Sequence, residues 1–161
     1  MFRFWYRYVF TNRTLIETGA QQVVWEKRIK PDYCSYMGLV FEKVCMDYLN
    51  SKNARGELPI LYTSIGRWWG TNAATHGQEE IDLIANDGND YLFGECKWRN
   101  EKLDISVLKD LKAKADVFRI NRKNSYYVLF SKSGFTEAVL NEVRSDDSIL
   151  LVDLAELMTS C

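Results

Sequence analysis

At 161 residues, with 47% apolar and 27% charged side chains, the chain carries one domain's worth of material. That is enough to bury about 70% of the surface its unfolded form would expose. A 14% aromatic content argues against disorder, and a net charge of −1 excludes a histone-like polycation, so any grip on nucleic acid must come from a local basic patch. One histidine, His76, excludes a multi-histidine metal site and leaves carboxylates and lysines to carry chemistry.

The N-terminus, Met1 to Phe10, is apolar but interrupted by Arg3 and Arg7 and lacks a small-residue cleavage site, which makes it a poor signal peptide. No apolar run is long enough to span a membrane. Cys34, Cys45, Cys96 and Cys161 form no C-x-x-C pair and read as free thiols of a reducing, cytoplasmic setting. Residues 1–33 are predicted as a helical arm, with Phe2, Trp5, Tyr6, Val9 and Phe10 on one face and a second short helix bracketed by Gly19 and Pro31. Ser35 is the expected N-cap of a helix to about Leu49, which carries Glu42. After Pro59 a strand is expected over residues 60–65, then a polar, glycine-bounded stretch through Trp68, Trp69 and His76. Residues 80–85 and 91–98 read as a β-hairpin, followed by a helix over 105–118, a strand over 126–131, a helix over 136–143 and a last strand over 149–152. This order predicts an α/β fold, with a central mixed sheet of four to five strands flanked by helices, over residues 34–161.

The hairpin geometry can be worked out on paper. A four-residue loop, Asp87 to Asp90, pairs Asn86 with Tyr91 and sets Asp82 opposite Glu95, with Lys97 on the face of Glu95. A three- or five-residue loop would turn Asp82 away. Opposed carboxylates repel, most strongly among apolar neighbours such as Ile81, Leu83 and Phe93. Lys97 offsets part of that charge, and a hard dication such as Mg²⁺ can offset the rest. Tyr91 and Phe93 on the same face suggest a cleft floor. The plainer alternative is an exposed charged hairpin.

Ile81-Asp82 followed by Glu95-Cys96-Lys97, after a helix carrying Glu42, resembles the signature of the PD-(D/E)xK nuclease superfamily. Phe4-Trp-Tyr-Arg-Tyr-Val9, Ile65-Gly-Arg-Trp-Trp-Gly70, Glu79-Glu-Ile-Asp-Leu-Ile84 and Val128-Leu-Phe-Ser-Lys-Ser-Gly-Phe135 are similar to the C-terminal domain that follows the P-loop ATPase in archaeal-type ATPases. Ile81 stands where the superfamily's name has proline, and no G-x-x-x-x-G-K-[ST] loop is present, so the chain is expected to be a fragment or a stand-alone descendant. The resemblance implies a restriction-endonuclease-like core. It also implies that Asp82 and Glu95, with the carbonyl of Cys96, hold Mg²⁺ or Mn²⁺, that Glu42 adds an acid directly or through water, and that Lys97 orients the attacking water.

Between Lys97 and Lys123 nine basic residues face four acids, and from Glu137 onward six acids face one arginine. This asymmetry suggests a phosphate-binding face built from Lys102, Lys109, Lys112, Lys114 and Arg119, with Lys112 pointing back toward the metal. The alternative is that these are solvated faces of amphipathic helices. His76 reads as a surface or turn residue that lies close in sequence to Asp82, and Trp68 and Trp69 as core packing or base-stacking groups. The function so expected is a metal-dependent nuclease acting on DNA ahead of RNA. The alternative is a catalytically silent module of nuclease-like fold that binds an ATPase or another protein. A second copy of the chain is a further candidate partner.

Overall fold

The computed structural model describes residues 2–72, 76–118 and 121–159. Its contacts divide the chain into two compact units, residues 1–39 and 40–161. The boundary falls inside a helix, whereas the sequence reading placed it at residue 33.

The first unit is helical: α1 (Phe2–Phe4), a π-helical turn (Trp5–Val9), a 3₁₀ turn (Phe10–Asn12), α2 (Arg13–Glu17), α3 (Gln21–Val24), a second π-helical turn (Trp25–Ile29) and the start of α4 (Lys30–Ala54). Its packing centres on Tyr36, whose ring lies 5.7 Å from Phe4 and 5.5 Å from Tyr8. The Tyr8 hydroxyl donates to Asp32 Oδ2 at 2.5 Å, and Arg7 pairs with the same oxygen at 2.7 Å. Burial, then the bond to Asp32, pushes the Tyr8 phenol up to about 12. The expected break at Pro31 does not occur, and nor does a new N-cap at Ser35: the helix continues through both. Proline has no N–H to donate and its ring crowds the carbonyl four residues back, here Lys27. The widened π turn that ends at Ile29 absorbs that defect without ending the helix.

The second unit is an α/β fold. A five-stranded mixed sheet runs in the order β1 (Ser64–Thr71), β2 (Gln78–Asn86), β3 (Asp90–Lys97), β4 (Asn124–Ser131) and β5 (Ile149–Asp153). The first three strands are antiparallel, and the β3–β4 and β4–β5 pairs are parallel. Helices α5 (Ile105–Val117) and α6 (Glu137–Ser145) supply the crossovers, and α7 (Leu154–Thr159) follows β5. On one face Phe41, Cys45 and Leu49 of α4 pack on Leu83, Ala85, Leu92 and Phe130. On the other, Leu108, Leu111 and Ala115 of α5 and Val139 of α6 pack on Ile81, Ile84, Phe93 and Leu129. Each buried Leu, Ile, Val or Phe among them contributes about 1.5–3 kcal/mol by leaving water.

The first strand lies four residues later than expected. Ile60 and Tyr62 are buried, but Asn53 of α4 occupies the Tyr62 backbone: its amide donates to the Tyr62 carbonyl and its oxygen accepts the Tyr62 N–H, both at 3.0 Å. With those groups satisfied by a side chain, the segment has no ladder to join. Residues 66–71 of the glycine-bounded stretch instead belong to strand β1. A Cβ on Gly70 would lie 2.0 Å from the indole of Trp68, so only glycine lets that ring fold over the strand and meet Phe118 edge-on at 5.4 Å.

Candidate functional site

The hairpin turn sets the register of the site. Asp87 Oδ1 accepts the N–H groups of Asn89 and Asp90 at 2.9 and 2.8 Å, and Asn86 pairs with Tyr91 as the four-residue loop predicts. The regular ladder ends at Leu83–Gly94, one step before Asp82 and Glu95 would oppose each other. The cause is on the other side of β2: β1 pairs Gly66 with Ile84 but Trp68 with Ile81, so β2 carries one extra residue opposite Arg67. This β-bulge puts Ile81 and Ile84, three positions apart, into the same core, and re-aims Asp82. Its Oδ2 then accepts the backbone N–H of Cys96 at 2.8 Å in place of a ladder bond. Gly94 permits the close approach; a Cβ there would stand 3.0 Å from Leu83 Cβ and 3.1 Å from Val128 Cγ1.

Asp82 is therefore aimed at the end of β3 beside Glu95, which is 4% exposed. Glu95 Oε1 is held by Lys97, and Oε2 lies 3.3 Å from Nζ of Lys114 on α5. Burial, followed by the charge of Glu95, raises the Asp82 carboxyl above the usual carboxylate range, against the lowering effect of the Cys96 N–H. Burial alone would depress the Lys97 ammonium, but the charge and hydrogen bond of Glu95 outweigh it and raise it. The Cys96 thiol is pushed up by burial and by its bond to Cys45, which keeps it neutral. The result is two carboxylates and two ammonium groups converging at the end of the sheet.

The other residues singled out from the sequence are placed as follows. Glu42 does not join the pair: it is ion-paired with Arg67, whose other nitrogen meets Glu80 at 3.2 Å. Lys112 points away from the site, pairing with Asp146 at 3.0 Å and lying 5.4 Å from the Tyr127 ring centre. Lys102 and Lys109 are exposed, and Arg119 lies outside the described residues. Tyr91 and Phe93 are no cleft floor; they are buried against Phe118. His76 is exposed at φ 53°, its N–H donating to the Asn72 carbonyl at 2.8 Å. Trp68 is a packing residue, whereas Trp69 is 65% exposed under the Arg67 guanidinium.

Two roles were not read from the sequence: Arg67 as the partner of Glu42, and Lys114 as the second partner of Glu95. On α5, Lys112 and Lys114 flank the buried Leu108–Leu111–Ala115 stripe on opposite sides. Helical periodicity defines the two flanks, but only the packed structure tells which one faces the end of β3.

Among the described residues no group of three or more His, Cys, Asp or Glu side chains converges to hold an ion. The donors present suit a cation that needs fewer. Asp82 Oδ1 takes no hydrogen bond among the described residues, and Glu95 sits beside it with hard oxygen donors. Mg²⁺ typically takes one or two carboxylates and completes its shell with water, and Mn²⁺ shares that preference for oxygen. The residues fit such an ion, with the Cys96 carbonyl as the third donor that the resemblance supplies.

Residues 5–115 match the family DUF234, described as archaeal and bacterial proteins of unknown function. The chain belongs to this family. An uncharacterized protein of Methanocaldococcus jannaschii, MJECL04, is 36% identical over 157 residues, which is 95% of this chain and 32% of the relative. The chain thus spans about a third of the length of the curated relative it matches. The crystal structure of a protein of unknown function, AF1548, matches with a TM-score of 0.44 at 14% identity, over 73% of this chain and 65% of that one. Among the described residues of this DUF234 member no helix is long and apolar enough to cross a membrane.

Proposed function

We propose that the chain is a PD-(D/E)xK-type nuclease domain, dependent on Mg²⁺ or Mn²⁺, that hydrolyses nucleic-acid phosphodiester bonds, DNA ahead of RNA, in the cytoplasm and in association with a P-loop ATPase. The observation that carries this reading is the bulge in β2, which brings Asp82 to a buried Glu95 whose two oxygens each meet a lysine. Like charges set so close in a partly buried site cost stability, and structure alone gives them no use.

In this reading Asp82 and Glu95 hold the cation, and the bond from the Cys96 N–H fixes the Asp82 carboxylate on its strand. The cation, when bound, supplies a water nucleophile near neutral pH and a clamp on the phosphate oxygens. Lys97, kept protonated by Glu95 and Asp82, orients the attacking water and offsets the charge that builds on the phosphate. Exposed Lys102 and Lys109 contribute to the grip on the backbone. Glu42, bound to Arg67, stays outside this first set of donors.

Cleavage of single-stranded, duplex and branched substrates with Mg²⁺ or Mn²⁺ tests the reading. Asp82→Asn and Lys97→Ala are each expected to lower the rate by at least about a hundredfold while the far-ultraviolet circular dichroism is unchanged. Activity that survives both substitutions sinks the assignment.

One observation favours a second reading, a catalytically silent module that docks on an ATPase or another protein. In the first unit Phe2, Trp5 and Tyr6 are 76%, 44% and 56% exposed, more aromatic surface than one short segment usually shows to water. Light scattering and pull-down with the full chain separate the two readings: a monodisperse monomer that captures no protein counts against this one.

A further inference from the structure

We propose that Lys114 is the exchangeable counter-ion of Glu95: a divalent cation enters the Asp82–Glu95 pair by displacing the Lys114 ammonium, which then pairs with Asp110 in the neighbouring cleft. The inference rests on the acid pair being a cation site and names how that site is kept neutral and opened.

The two lysines on Glu95 are not equivalent. Lys97 is two residues along the same strand, on the same face as Glu95, so its ammonium cannot move far from the carboxylate. Lys114 reaches Glu95 from another element, at 3.3 Å, a looser contact than the charge-assisted bonds of about 2.7–2.9 Å that hold firmly. It also has somewhere to go. An open cleft of about 240 Å³ beside α5 is lined by Asn72, Glu79, Asp110, Ala113, Lys114 and Val117. Asp110 lies four residues before Lys114 on the helix, the spacing and order in which an acid and a lysine pair best. Asp110 is exposed, and among the described residues no cation is paired with it. A dication at Glu95 thus repels one ammonium that is fixed by its strand and one that can rotate about its own side chain to a waiting carboxylate one turn away.

Calorimetric titration of the full chain with Mn²⁺ tests this without calling on catalysis. Lys114→Gln removes the competing ammonium and is expected to bind Mn²⁺ roughly tenfold or more tighter, since a hydrogen bond to a charged group is worth about 1.5–3 kcal/mol. The same variant should lower the thermal midpoint of the metal-free chain. Lys114→Arg, which keeps the charge, restores the wild-type affinity, and Asp110→Asn, which removes the landing partner, weakens Mn²⁺ roughly twofold. Lys112→Gln, on the same helix but paired with Asp146, leaves affinity unchanged. Equal affinity in wild type and Lys114→Gln overturns the exchange while leaving the cation site standing, and so does a gain in Lys112→Gln as large as in Lys114→Gln. No heat from any of the variants overturns both the exchange and the site.

Discussion

Asp82 is held in a place where burial and the charge of Glu95 both oppose its ionisation, and only the Cys96 N–H and Lys97 favour it. A carboxyl whose folded pKa is raised destabilises the folded chain above that pKa, and the penalty disappears as pH falls through it. Asp82→Asn, whose amide oxygen can still accept the Cys96 N–H, is therefore expected to raise the thermal midpoint of the metal-free chain at neutral pH by about 2–4 °C. The same substitution should abolish any thermal protection by Mn²⁺. Differential scanning calorimetry with and without the ion reads both, and a lowered midpoint in the metal-free variant would contradict this account of the site. Asn53 acts in the opposite direction. Its two bonds to Tyr62 replace a strand ladder, so Asn53→Ala strands a donor and an acceptor and should cost about 1–3 kcal/mol in urea unfolding.

At the scale of elements, the β2–β3 hairpin was legible because its turn chemistry is local: Asp87 caps its own turn, and the loop length fixes every pair up to Leu83–Gly94. The helix α5, the strands β4 and β5 and the helix between them were legible from periodicity for the same reason. Two elements were not. Residues 60–63 have strand-like composition, but the side chain that satisfies the Tyr62 backbone comes from α4, and no local pattern announces it. The helix across Pro31 survives through a π turn, an adjustment that a period of 3.6 residues does not encode. In the site, the hairpin alone puts Asp82, Glu95 and Lys97 on neighbouring strands, whereas the bulge that aims Asp82, and the partners Lys114 and Arg67, depend on how β1 and α5 pack on it. The Trp68–Gly70 arrangement belongs to this scale too. Gly70→Ala must evict the indole from Phe118 and should cost about 1–3 kcal/mol, measurable as a lower urea midpoint with altered tryptophan fluorescence.

Across the whole molecule the pH response combines opposing signs. Asp32, Glu57 and Asp146 are lowered, chiefly by bonds from Tyr8, Lys52 and the Ser148 hydroxyl respectively. Their stabilisation is complete above the unfolded carboxyl values near pH 4 and is lost as pH falls through the folded ones. Asp82 contributes with the other sign and in a higher window, because its folded value lies above the unfolded one. Stability of the metal-free chain should therefore rise slightly on mild acidification before it falls in strong acid. A thermal-midpoint profile should show that rise in the wild type and lack it in Asp82→Asn.

The extra residue in β2 works like a single added tooth in a gear. Downstream of it the strand keeps step with β3; upstream, every side chain of Gln78–Ile81 is out of phase by one. Deleting one residue at 82–83 would close the bulge and restore plain alternation: Ile81 would fall two positions from Ile84 and keep its place in the layer under α5, while Asp82 would be either removed or turned to the opposite layer in place of Leu83. Point substitutions can retune the acid pair, but they cannot slide it along the strand without re-threading the edge of the sheet.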